Sequence, residues 1–350
     1  MHFKNPRLPF ASAPDLASVQ LTPLRAQGSA SIGFVLVGCG AQRRATLKRH
    51  DLVGSTTYMS AAMVLGIQLT HSIAYAEHSR HRLDVCRPRN AVAAPVVIFF
   101  YGGAWQSGYK ELYRYVAKAL ARRGYVAVVP DYRIYPEVCY PDFLDDGAFV
   151  VRWVKDNIAR FGGDPDKLFL KGHSAGAHMA AMLSIDDRWL GKVGLNPRRD
   201  IAGLIGLAGP YDLMPLPLRD NKKLKVIFGG TDRPETQPIF HVSPGAPPAL
   251  LMTGGRDRLV EPGNSTRLAA RLVAAGNAAT VLTYRHVGHF VIMAAVAPFL
   301  RFLVPVLRDV DAFIAETLRT PRRTIRHTVQ ETAVQETTAA IEIAGRWRWI

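Results

Sequence analysis

Three side chains in this 350-residue sequence, Ser174, Asp257 and His289, are of the types that carry out nucleophilic catalysis. Ser174 is the centre of Gly172-His173-Ser174-Ala175-Gly176, a G-x-S-x-G pattern in which a sharp strand-to-helix turn exposes the hydroxyl and glycines permit close packing around it. A serine hydroxyl is a weak nucleophile near neutral pH, so a general base must take its proton. His289, in His286-Val287-Gly288-His289-Phe290, is read as that base, with His286 as its rival. Asp257, in Gly254-Gly255-Arg256-Asp257-Arg258, would fix the imidazole tautomer and stabilise the imidazolium that forms.

A fourth segment, Tyr101-Gly102-Gly103-Ala104-Trp105, combines glycines with a large aromatic residue. Acyl transfer develops negative charge on a carbonyl oxygen, and backbone N–H groups in a glycine-rich loop stabilise it. Gly103, Ala104 and Ala175, the residue after the nucleophile, are the expected oxyanion donors, with Gly102 serving the turn. Trp105 and His173 are candidates for the substrate pocket. His178 is read as shaping the pocket or satisfying a helix end, Tyr109 and Tyr113 as a packing stripe, and Asp212 and Glu261 as structural or solvated.

These residues need a scaffold, and short β-rich runs alternate with longer amphipathic ones through the body of the chain. The runs 96–100, 126–129, 167–171, 202–207, 249–253 and 280–284 read as strands. Between or after them, 111–122, 145–160, 175–183, 265–275 and a final stripe from Leu303 to Leu318 read as helices. Continuous apolar strands followed by helices predict an α/β fold with a mostly parallel central sheet covered on both faces. Leu83 to Cys86 reads as an edge strand. Such a sheet carries its site at the carboxyl ends of its strands, and the four motifs all follow predicted strands. The loops 209–217 and 222–229 are left to set substrate choice.

Ser, then Asp, then His, in loops after successive strands, is the order found in α/β hydrolases. Together the segments resemble the α/β-hydrolase-fold esterases of the hormone-sensitive-lipase and feruloyl-esterase-like (BD-FAE-like) branch, and are similar to kynurenine formamidases. The likeness extends through Pro130-Asp131-Tyr132-Arg133, Tyr135-Pro136-Glu137 and Phe161-Gly162-Gly163-Asp164-Pro165, and covers roughly residues 78–318. Tyr101 departs from it, standing where the family usually has His. The resemblance implies a carboxylic ester hydrolase acting on a small-molecule ester through an acyl-enzyme on Ser174. An arylformamidase-type amidase and a catalytically silent binding scaffold are the alternatives. A dipeptidyl-type peptidase would need a further domain.

Composition bounds the remaining readings. Apolar residues make up 48% and charged residues 21%, which disfavours a disordered chain, a collagen-like repeat and a polytopic membrane protein. No metal or other cofactor is expected: Cys39, Cys86 and Cys139 form neither a CxxC pair nor a Cys/His cluster. The net charge of +16 would suit nucleic acid, but no reading motif accompanies it and no nucleic-acid partner is expected. Seven Lys and Arg against one Asp in residues 1–50 place part of that charge in an N-terminal extension, 1–77. There Leu36-Val37-Gly38-Cys39 resembles a bacterial lipobox, so the expected localisation is cytoplasmic, or envelope-anchored if Cys39 is lipidated. Residues 78–318 are the expected catalytic domain, and 319–350 an ill-ordered basic tail. Oligomeric state is left open.

Overall fold

Eight strands form one sheet in the computed structural model of the protein, which describes residues 66–215 and 222–320. The strands are β1 (Ile67–Ala74), β2 (Arg82–Pro88), β3 (Ala94–Phe100), β4 (Val126–Pro130), β5 (Gly163–His173), β6 (Gly203–Leu207), β7 (Ala249–Gly254) and β8 (Ala279–Tyr284). Their order across the sheet is β1-β2-β4-β3-β5-β6-β7-β8. β2 runs antiparallel to both β1 and β4, and every pair from β4 to β8 is parallel. β4, β6 and β7 are buried at every residue, as continuous apolar strands covered on both faces must be.

The helices of the described residues are α1 (Arg114–Ala121), α2 (Asp142–Asn157), α3 (Ala175–Ile185), α4 (Asp187–Gly191), α5 (Pro197–Asp200), α6 (Lys222–Phe228), α7 (Gly263–Ala274), α8 (His289–Ala294) and α9 (Val306–Arg319). Successive side chains along β5 point to opposite faces, which assigns the layers. Gly172 faces the backbone of α3 at Gly176, whereas Phe169 meets Phe313 of α9 edge-on, with ring centroids 6.3 Å apart. α2 joins α3 on the first face, where Leu183 sits against Gly147. α3 is buried along its whole length, as its all-round small and apolar sequence requires. The chain therefore has the α/β-hydrolase fold, with helices on both faces of a mostly parallel sheet.

Three expectations change. The strand at Leu83–Cys86 is not an edge: β1 pairs outside it, from Ile67↔Pro88 to Ala74↔Arg82, so the sheet begins ahead of residue 78. The helix expected over 111–122 opens as a 3₁₀ turn, Lys110–Tyr113, before α1 begins. Part of 222–229, read as loop, is helix α6, whose Phe228 is buried against Trp105. The lipobox at Cys39 and nearly all of the expected tail lie outside the described residues.

Candidate active site

Four loops leave the carboxyl ends of β3, β5, β7 and β8, and the sheet's parallel register brings their side chains together. Ser174 follows β5 directly with φ 52° and ψ −123°, and its N–H donates to Leu207 O of β6 at 2.9 Å. A non-glycine residue rarely holds that backbone conformation, and here the packing around it dictates the turn. A Cβ on Gly172 would overlap the backbone of Gly176, and one on Gly176 would overlap Phe100 O and Tyr101 O at the end of β3. The two glycines thus let the strand, the helix and the neighbouring loop close around the serine.

His289 Nε2 lies 2.9 Å from Ser174 Oγ, and His289 Nδ1 lies 2.7 Å from Asp257 Oδ2. Asp257 Oδ1 accepts from the N–H groups of Leu259 and Val260, each at 2.9 Å. Burial raises the Asp257 pKa, but the hydrogen bonds from His289, Val260 and Leu259 outweigh it and hold the carboxyl below its ordinary range. An ionised carboxylate only accepts, so His289 must carry its proton on Nδ1. Nε2 is then left as an acceptor for the Ser174 hydroxyl proton. His286 lies exposed in the turn after β8, and His289 alone of the two bonds the serine.

The glycine-rich loop lies against this chain of bonds. A Cβ on Gly102 would stand 3.0 Å from Ser174 Cβ, and the loop turns through Gly103, Ala104 and Trp105 with φ of 138°, 52° and 57°. Gly103 O is tied back by Gln106 N at 3.0 Å and Ser107 N at 3.1 Å. Ala175 opens α3, where first-turn N–H groups have no intrahelical acceptor.

Side chains from outside the loop, and Tyr101 at its start, brace it. Arg80, between β1 and β2, donates to Gly108 O, Tyr132 O and Tyr101 Oη at 2.8–3.0 Å. Tyr101 Oη donates to Asp131 Oδ1 at 2.8 Å, so its hydroxyl does join the network that holds the loop. Tyr132 Oη donates to Tyr101 O, and Tyr135 N to Trp105 O, both at 2.8 Å. The Asp131–Tyr135 segment was legible as part of a resemblance, but its bonding was not, and nothing in the sequence marks Arg80.

Trp105 and His173 lie deeper than a substrate wall requires. Trp105 is 2% exposed, wedged edge-on between His178 and Phe228 at 5.1 and 4.9 Å. His173 lies beneath His289, with Nε2 3.1 Å from His289 O, and burial holds its pKa down to about 3. It is neutral at working pH and donates from Nε2 to that carbonyl, which positions the His289 loop. His178 bonds Thr236 O at 2.7 Å and is likewise held neutral by burial, at about 4. Tyr113 stacks on Tyr101 at 5.2 Å, and Asp212 and Glu261 both pair with Arg267, so those three are structural. Among the described residues no cluster of His, Cys, Asp and Glu could hold a metal ion.

The chain is 29% identical over 238 residues to a probable isoprenylcysteine alpha-carbonyl methylesterase ICMEL1 of Arabidopsis thaliana, covering 62% of this chain and 50% of the relative. It is 29% identical over 219 residues to esterase LipC of Mycobacterium tuberculosis, covering 58% and 54%. It thus spans about half the length of these curated relatives. Among solved structures, a truncated carbohydrate esterase from gut microbiota superposes with a TM-score of 0.63 at 20% identity, covering 74% of this chain and 98% of that one. Thermogutta terrifontis esterase 2 superposes with a TM-score of 0.58 at 23% identity, covering 73% and 95%. Both likenesses support the fold. Residues 83–272, more than half of the chain, match the sequence model of the BD-FAE family, and the chain belongs to that family.

Proposed function

We propose that the protein is a carboxylic ester hydrolase that works through an acyl-enzyme on Ser174. The observation that carries this reading is the unbroken hydrogen-bonded chain Ser174–His289–Asp257 lying against the Gly102–Trp105 loop. The esterase names of the relatives point to the same reaction class.

In this mechanism His289 Nε2 takes the Ser174 proton as Oγ attacks the ester carbonyl. The N–H groups of Gly103, Ala104 and Ala175 receive the charge that develops on its oxygen. Asp257, kept ionised by its three hydrogen bonds, stabilises the imidazolium. His289 then protonates the departing alcohol, and a water molecule activated by the same Nε2 hydrolyses the acyl-enzyme. His173 and Tyr101 are positioning residues, the first for the base and the second for the oxyanion loop. The unit that carries this chemistry runs from β1 to α9.

The test is turnover of p-nitrophenyl acetate, butyrate and octanoate beside an N-formyl arylamine, by wild type and Ser174→Ala. Serine-dependent ester turnover is expected. Preferential deformylation would replace the esterase with an amidase, and turnover that survives Ser174→Ala would remove the mechanism.

A further inference from the structure

From α8 to the start of α9 the chain is apolar on both of its sides. Ile292, Met293, Val296, Val304, Val306 and Leu307 are buried and anchor the segment to the core. Along the same segment Phe290, Phe299 and Phe302 are 69%, 76% and 81% exposed, with Val291 and Leu303 also exposed, and Phe290 lies edge-on to His289. Single exposed apolar residues are ordinary, but five within fourteen residues of one segment are not.

Arg301 stands directly before Phe302 in the same segment, and other arginines gather around it. Arg123, Arg301 and Arg308 line a cleft of about 180 Å³ together with Ala295 and Val304. Arg122, exposed at the end of α1, acts electrostatically on Arg301 with Arg123, and burial together with these two neighbours holds the Arg301 pKa down. Arg123 pairs with Asp311, and Arg308 lies 3.6 Å from Asp309, which leaves two positive charges in excess locally. Arg301 Nε donates to Val296 O at 3.3 Å, but its Nη2 has no hydrogen-bond partner among the described residues. Among those residues neither Arg122 nor Arg301 has a carboxylate partner.

We propose that this face is a docking surface for an anionic phospholipid bilayer: Phe299, Phe302 and Leu303 enter the interface while the exposed Arg122 and Arg308 meet lipid phosphates and the half-buried Arg301 adds positive charge behind them. Protruding aromatic and aliphatic side chains beside cationic ones form the combination that holds proteins at an anionic interface. The arginines disfavour a second copy of this chain or its own C-terminal residues as the occupant. A copy would bring the same positive cluster, and residues 321–350 hold five Arg against three Glu. Among the described residues no helix is long and apolar enough to cross a membrane, and the association proposed is peripheral.

Co-sedimentation of the full chain with phosphatidylcholine vesicles, with and without phosphatidylglycerol, tests this. Wild type should bind the phosphatidylglycerol vesicles selectively, and Phe299→Ser/Phe302→Ser should bind them about tenfold or more weakly with the chain's charge unchanged. Arg122→Gln/Arg308→Gln should weaken binding about thirtyfold at low ionic strength. Unaltered turnover of a soluble p-nitrophenyl ester certifies each variant as folded, and the single Phe302→Ser variant serves if the double one is not. Equal binding by wild type and the phenylalanine variants would overturn the proposal. So would a lipid-free dimer in sedimentation velocity that those variants dissolve.

Discussion

Lys171, on β5 three residues before Ser174, is fully buried, and its Nζ has no hydrogen-bond partner among the described residues. It lies between Phe99 of β3 and Ile205 of β6, on the face of the sheet that also carries His173. Burial lowers its pKa from 10.5 to about 7. The unfolded chain therefore binds more protons than the native chain between about pH 7 and pH 10.5, and stability must rise with pH across that window. At pH 7 the unfolded lysine is charged and the native one half neutral, a cost to the fold of about 4 kcal/mol. By pH 9 most unfolded lysine is still charged while the native one is neutral, and the cost has fallen by about 2 kcal/mol. Lys171→Met keeps the shape of the stem and removes the amine. Urea unfolding at pH 7, 8 and 9 should show the variant more stable than wild type at pH 7 by up to about 4 kcal/mol, with the advantage shrinking as pH rises. An advantage that is absent, or that does not change with pH, would refute the reasoning and require a partner for Nζ.

Other perturbations probe the site itself. Asp257→Asn leaves the geometry but removes the charge that fixes the His289 tautomer, and should lower kcat by about three to four orders of magnitude in the p-nitrophenyl acetate assay. Gly176→Ala drives a Cβ into Phe100 O and Tyr101 O, separating the serine turn from the Gly102–Trp105 loop. Its kcat should fall about a hundredfold, with the three hydrogen-bonded side chains all present; full activity would mean that the loop is not where catalysis needs it. Tyr101→Phe strips Asp131 of a donor that partly offsets its burial-raised pKa, and should cost about 1–3 kcal/mol in urea unfolding while the fold persists.

The site was legible where backbone geometry restricts residue type. Gly172 and Gly176 announce the serine turn because any side chain there collides with the neighbouring backbone. Asp257 and His289 were readable because each comes within a few residues of a strand whose apolar run is unmistakable, Asp257 in the turn after β7 and His289 at the start of α8 after β8. β1 was not, since Ile67–Ala74 carries His, Ser, Thr and Gln and is only partly buried, so its antiparallel pairing with β2 left no apolar run to read. That omission is also why Leu83–Cys86 looked like an edge. Arg80 acts through three oxygens on three separate residues, a role that no local pattern records. Adjacency to the motifs puts Trp105 and His173 on the substrate's side in the sequence, whereas burial depends on what packs above them, here Phe228 and the His289 loop.

The most direct test of the account is labelling by a fluorophosphonate probe, with the modified peptide mapped by mass spectrometry. The account predicts one adduct, on Ser174, that is lost in Ser174→Ala and greatly slowed in His289→Ala. No adduct, or an adduct elsewhere that survives Ser174→Ala, would contradict the assignment of Ser174 as the activated nucleophile.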